Sequence, residues 1–158
     1  MKLKWKSKKE YLTKSSKVTE KLGEKLSKEV TQQQLNLSTQ AIILGLIGDL
    51  GSGKTTFLKG FAKGLGIKEK ILSPTFIIMK KFSLSHFRFR NFYHFDCYRI
   101  EDSKELLTLG FKEIISDPQN IVCLEWSEKI KKILPKNSFI IHFIFIDPKT
   151  RKITIEKF

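Results

Sequence analysis

The eight residues Gly48-Asp49-Leu50-Gly51-Ser52-Gly53-Lys54-Thr55 constrain this chain more than any other feature. They match G-x-x-x-x-G-K-[ST], the pattern of a loop that wraps phosphate. Such a loop works only between a strand and a helix. Upstream, Ala41 to Ile47 is a nearly unbroken apolar run, of the length of a buried parallel strand. Downstream, Phe57, Leu58, Phe61, Ala62 and Leu65 recur at helical spacing, and Gly64 and Gly66 offer a stop. Strand, glycine-rich turn and helix in that order predict an α/β fold. The expected form is a three-layer P-loop NTPase domain with a mixed, mainly parallel central sheet.

The chemistry follows from that arrangement. Gly48, Gly51 and Gly53 admit backbone angles closed to other residues and let amides approach a phosphate closely. The amides and the positive end of the new helix cradle oxygen anions. The whole loop, with Asp49, Leu50 and Ser52, is therefore the expected nucleotide-binding segment. Lys54 is expected to reach the β- and γ-phosphates, and the Thr55 hydroxyl to ligand Mg²⁺. The bland alternative is an ordinary turn before an ordinary helix, and the strand–helix context stands against it.

With 158 residues, 41% of them hydrophobic, the chain has the size of one domain and enough apolar mass for a core. Cys97 and Cys123 are the only cysteines. They lack a C-x-x-C spacing, so they offer neither a zinc site nor a disulfide framework, and a reducing cytoplasm is the simple reading. No apolar run approaches the ~18 residues of a membrane span, and the basic N-terminus lacks a signal-peptide core. The net charge of +14 invites a nucleic-acid partner. However, AT-rich coding would also enrich Lys along the whole chain without selecting a binding face.

Residues 1–12 read as a basic, flexible arm around Trp5, and residues 13–158 as a single P-loop ATPase domain. The arm is either a solvated terminus or a contact to RNA phosphate. Val18, Leu22, Leu26 and Val30 predict a helix, with Thr19 at its cap or first turn, and a polar connector runs from Gln32 to Thr39. Residues 67–72 read as a short strand or turn. In Ser73-Pro74-Thr75-Phe76, Thr75 is either a sensor of γ-phosphate or part of a plain turn. A strand is expected from Ile77 to Phe82. In the next, Phe92 to Arg99, alternation puts His94 and Asp96 on one face. Asp96, near a strand end, is placed to orient a water or to hold Mg²⁺ through one.

Asp102 and Glu105 open a helix carrying Leu106, Leu107 and Leu109, which Gly110 ends. Asn120 to Trp126 is a second apolar run, closing on a carboxylate. A P-loop needs an acidic side chain at a neighbouring strand's tip, beside Thr55, to complete a Mg²⁺ site, and Glu125 meets that need. Trp126 then stacks on nucleotide or partner, or packs in the core. Phe139 to Ile146 and Ile153 to Ile155 read as strands around the turn Asp147 to Thr150, closing the sheet antiparallel.

Taken together, the P-loop with Thr56, then Ser73-Pro74-Thr75-Phe76, His94-Phe95-Asp96-Cys97-Tyr98-Arg99 and Leu124-Glu125-Trp126, in this order and spacing, resemble the TsaE (YjeE) family. The similarity spans roughly residues 18–156. It implies a cytoplasmic, Mg²⁺-dependent ATPase that binds and hydrolyses ATP in bacterial threonylcarbamoyladenosine modification of tRNA. Its partners would be the TsaB and TsaD subunits. In this family the ATPase resets the complex and does not itself transfer the threonylcarbamoyl group.

By motif, the resemblance implies that Lys54 binds phosphate, that Thr55 and Glu125 hold Mg²⁺, and that Asp96 supports hydrolysis. It implies that Thr19 and Thr56 line the nucleotide site with Trp126 near it, and it leaves open a tRNA contact through the basic surface. Three positions depart from the family pattern: Cys97 for Leu, Ser127 for Pro, and Lys129 for Arg. The rival reading is a small-molecule P-loop kinase. Four Arg in the whole chain, with no cluster to serve as a lid, argue against it. No Asn-Lys-x-Asp signature supports a GTPase.

Overall fold

A computed structural model describes residues 8–33, 39–72, 77–86 and 88–157. Strand β1 (Lys9–Thr13) and helix α1 (Ser16–Gln33) precede β2 (Ile42–Ile47), which turns through the glycine-rich loop into α2 (Lys54–Gly64). A hairpin of β3 (Met79–Ser83) and β4 (Asn91–Asp96) follows. Two short helices, α3 (Lys104–Thr108) and α4 (Phe111–Ser116), then lead to β5 (Asn120–Glu125). After a 3-10 turn at Ser127–Ile130, β6 (Phe139–Phe145) and β7 (Arg151–Lys157) complete the chain.

The strands form one sheet in the order β1-β7-β6-β2-β5-β4-β3. The four central strands, β6, β2, β5 and β4, are mutually parallel. The flanking pairings, β3 on β4, β7 on β6 and β1 on β7, are antiparallel. The sheet is thus mixed, with a parallel centre between helical layers.

The unbroken apolar runs follow from burial on both faces. Along β2, Ile42, Leu44 and Leu46 point into one core with Leu26, Val30, Phe57 and Phe61 of α1 and α2. Ala41 and Ile43 point into the other, with Phe95, Leu106, Phe111 and Ile130. Those two cores make the three layers. Among the described residues no helix is long and apolar enough to cross a membrane.

The structure differs from the sequence-based expectation at several points. The basic arm does not extend to residue 12, because Lys9–Thr13 is the sheet's edge strand, paired residue for residue with β7. Only Tyr11 and Thr13 turn inward there, and the exposed Leu12 between them, with Lys8, Lys9 and Glu10 before them, hid the alternation. In α1, Leu26 and Val30 are buried and Leu22 packs against the same core, as the stripe predicts, but Val18 is exposed and Thr19 is buried in its place. Residues 67–72 form no strand. Gly110, at φ 80°, separates two helices: α4 begins at the next residue, where Phe111 is fully buried. The C-terminal strands do pair antiparallel with each other, but β6 joins β2 in parallel. Ser73 to Phe76, including Thr75, lie outside the described residues.

Helices α1 and α2 approach closely at three glycines, Gly23, Gly60 and Gly64. A Cβ on Gly60 would lie 1.7 Å from the Glu20 carbonyl oxygen, and one on Gly23 would lie 2.1 Å from that of Phe57. Neither obstacle is a flexible side-chain tip, so the helices would have to separate. Glycine costs a helix interior about 1 kcal/mol relative to alanine, but here the close approach decides. Gly60→Ala is expected to destabilise the fold by about 1–3 kcal/mol, as overpacking does. A urea titration checks this, and a stability equal to or above that of the parent would contradict the close crossing.

Candidate functional site

Four chain segments end at one edge of the sheet. Because β6, β2, β5 and β4 are parallel, the loop after β2, Asp96 at the end of β4, Glu125 at the end of β5 and the turn after β6 emerge together. The loop itself is tightly packed. A Cβ on Gly48 would lie 2.7 Å from the Phe143 carbonyl oxygen. Gly53 sits at φ 103°, a left-handed angle that opens α2 and that a side chain would strain.

Lys54 starts α2 and is 6% exposed. Its Nζ donates to the carbonyl oxygens of Gly48 and, at 2.9 Å, Asp49. The same ammonium lies 4.2 Å from the centre of the Trp126 ring. Burial pushes its pKa below the usual lysine value, against the opposing pull of Glu125 and weaker carboxylates. A desolvated cation at the positive end of a helix favours an anion beside it.

The next residue carries the contact on which the site turns. Thr55 Oγ1 donates to Glu125 Oε1 at 3.0 Å, across 70 residues of chain. Glu125 is 1% exposed. Its other oxygen lies 3.9 Å from Nε2 of the equally buried His94, and that nitrogen has no hydrogen-bond partner. Asp96 sits opposite Glu125 in the β4–β5 register and accepts a hydrogen bond from the Tyr98 amide at 3.0 Å.

Among the described residues no three His, Cys, Asp or Glu side chains cluster as a metal site. A cation here would draw on the Thr55 hydroxyl and Glu125 carboxylate, with water and phosphate supplying the rest. An all-oxygen set of that kind suits Mg²⁺.

The cavity in front of the loop is lined by Leu50 to Thr56, Glu125 and Trp126, by Ser15, Ser16 and Thr19 at the start of α1, and by Pro148, Lys149 and Arg151. Thr19 is held by a 2.7 Å contact between its hydroxyl and that of Thr13. Trp126 is the only non-glycine residue at positive φ among those described, at 58°. That backbone costs about 1–3 kcal/mol. It turns the ring toward Lys54 on one side and Tyr98 on the other, 5.0 Å between ring centres. Lys129, which departs from the family pattern, donates to the Tyr98 carbonyl.

The expected residues are therefore not all equivalent in place. Thr19, Lys54, Thr55, Thr56, Glu125 and Trp126 line one cavity. Asp96 stands behind Glu125 and does not line it, and Arg99 is exposed away from it.

Arg151 is the residue that sequence reasoning missed. Its Nη2 donates to the Gly51 carbonyl of the loop at 3.0 Å, and its Nη1 to the carbonyls of Asp147 at 2.6 Å and Thr150 at 3.0 Å. The turn that presents it is ordered by Asp147, whose carboxylate accepts the Lys149 and Thr150 amides. Those bonds hold the Asp147 pKa below the ordinary value. No local signal in the sequence links this turn to a loop about 100 residues earlier. The link requires knowing that β6 lies beside β2.

A model of the threonylcarbamoyl adenosine biosynthesis protein TsaE matches residues 13–153. The chain belongs to the TsaE family. The TsaE protein of Rickettsia typhi is 37% identical over 123 residues, covering 77% of this chain and 81% of its own length. That of Haemophilus influenzae is 33% identical over 124 residues, covering 78% and 76%. The crystal structure of Bacillus subtilis YdiB superposes with a TM-score of 0.67 at 26% identity, covering 96% of this chain and 86% of that one.

In this TsaE-family chain, Arg151→Ala removes the brace between the β6–β7 turn and the loop. A lost hydrogen bond from a charged group costs about 1.5–3 kcal/mol. Affinity for ADP, measured by calorimetry, is therefore expected to fall roughly 10- to 100-fold. Arg151→Lys is expected to recover only part, since lysine lacks the planar fork. Unchanged affinity in both variants would remove Arg151 from the site.

Proposed function

We propose that this protein is the ATP-binding and hydrolysing subunit required for threonylcarbamoyladenosine modification of tRNA, acting in the cytoplasm with TsaB and TsaD. The observation that carries the reading is the Thr55–Glu125 contact at the mouth of a phosphate-binding loop, 3.0 Å long, in a chain of this family.

The division of labour follows from the positions of the side chains. Loop amides from Gly48 to Gly53 hold the β-phosphate oxygens, and Lys54 neutralises the charge of the β- and γ-phosphates. Thr19, Thr56 and Arg151 bound the nucleotide from the far side of the loop. Thr55 and Glu125 would hold Mg²⁺. Held there, the ion would offset negative charge on the phosphates. Asp96 lies one strand beyond Glu125, in register, and is suited to orient a water. His94 Nε2 lies 3.9 Å from the other Glu125 oxygen, beyond hydrogen-bond distance.

Three variants test those roles. Lys54→Ala is expected to abolish most ATP affinity. Glu125→Ala should leave some binding but flatten its dependence on Mg²⁺. Asp96→Ala should slow turnover more than it weakens binding. Equal binding losses in all three would overturn the assignment.

The function itself is tested by steady-state ATPase assays of the purified subunit alone and with TsaB and TsaD, alongside pull-down with and without ATP. Stimulation by the pair, and docking tightened by ATP, are the expected results, because linkage between the two equilibria is reciprocal. Full activity alone with docking indifferent to ATP would reject the reading and favour a kinase.

A further inference from the structure

The net charge of +14 is not spread evenly. Between Thr55 and Phe95 stand eight Lys and Arg residues against one acid, Glu69. Between Glu101 and Glu128 the balance reverses, with seven acids against Lys104 and Lys112. A coding bias toward lysine would have raised both stretches alike.

The fold turns this difference along the chain into a difference between faces. The first stretch supplies α2 and the β3 edge, and the second supplies α3, α4 and β5. On the basic side, Lys59, Lys63, Lys68 and Lys70 are exposed around one shallow concavity at the far end of α2, where Glu20 and Glu69 are the acids. At the sheet edge, Lys80, Lys81 and Arg90 are exposed and Arg88 half-exposed. Consecutive strand residues point to opposite faces. Accordingly, the Lys80 ammonium lies 5.1 Å from the Phe82 ring and that of Lys81 lies 5.8 Å from Tyr93, on the two sides of the edge. The two groups sit on neighbouring elements: the Phe61 ring of α2 lies 6.1 Å from that of Phe92 on β4, which lies 6.0 Å from that of Phe82 on β3.

Of these eight cations, only Lys63 is within 4.0 Å of a carboxylate oxygen among the described residues, that of Glu24. Edge lysines also deter sheet-to-sheet pairing. That purpose does not account for Lys68 and Lys70, which lie off the edge.

We infer that the α2–β3 flank binds the phosphodiester backbone of RNA. The choice of RNA as the polyanion rests on the proposed role in tRNA modification. Dispersed lysines that straddle an edge, rather than converging in one pocket, fit a backbone carrying charge at regular intervals. Contacts of this kind fix position without reading sequence and weaken steeply with salt.

The test is binding of a fluorescent tRNA transcript to the full chain across a salt series. Lys80→Glu/Lys81→Glu is compared with Lys104→Glu/Lys112→Glu, which changes the net charge equally on the acidic side. The edge variant is expected to lose roughly tenfold or more in affinity, and about 2 from the salt slope, close to one for each phosphate contact. The control should stay within about twofold, since charges beyond a Debye length are screened. Lys59→Glu/Lys63→Glu, on α2, gives an independent second variant with the same expected loss. Equal losses in edge and control variants would overturn the inference, as would displacement of the tRNA by polyglutamate at equal charge, which would favour an acidic protein. ATP affinity measured on the same samples separates the two readings. Intact ATP binding without tRNA binding removes this surface and leaves the proposed function standing.

Discussion

Parallel pairing of β2 with β5 is the constraint on which the rest depends. It places Leu46 beside Glu125, and so puts a carboxylate at the sheet edge where the phosphate loop begins. Ligands of open α/β sheets gather outside the carboxyl ends of the strands because parallel strands deliver their following loops to one edge. Here β4 and β6 extend the same logic. Asp96 arrives beside Glu125, and the β6–β7 turn arrives beside the loop. The antiparallel flanks contribute differently: they cover the edges of the parallel centre, and on one side they bring in Arg151.

The energetics of the site are those of charges kept from water. Lys54 and Glu125 are both nearly inaccessible, yet each is left only partly matched. Lys54 is solvated by two loop carbonyls and the Trp126 ring. Glu125 has the Thr55 hydroxyl at hydrogen-bond distance and His94 beyond it. Buried charge must be paired or ligate a metal, or else it is costly. An anion before Lys54 and a cation before Glu125 would meet both needs together. The strained backbone at Trp126 serves the same end, since it holds the ring against a lysine that has lost its water.

What could be read from residues alone was whatever depended on local pattern. The strand, loop and helix from Ala41 to Gly64 are encoded by an apolar run, three glycines and a helical period. Glu125 was legible because a phosphate loop needs a carboxylate at a neighbouring strand's tip to complete a cation site, and this one closes an apolar run. Arg151 and the two serines before Thr19 were not, because their place depends on the order of strands in the sheet. β1 was hidden since only two of its five residues face inward. Gly110 misled for a physical reason: a left-handed glycine that ends one helix can equally begin the next.

Arg151 also alters the account of turnover. A hydrolase with no arginine near its phosphates is slow, and supplying one accelerates it by about 10³–10⁵-fold. This chain does carry an arginine at the cavity, but its terminal nitrogens are engaged by the carbonyls of Gly51, Asp147 and Thr150. It braces the loop from the turn side. The opposite end, where Glu125 and Trp126 line the wall, has Lys54 as the cation among the described lining residues. The positive charge needed in the transition state is thus incomplete where the γ-phosphate would lie, while the ground-state cradle is well built. That imbalance is what supports the proposed reading, in which docking of a partner sets the rate of ATP hydrolysis.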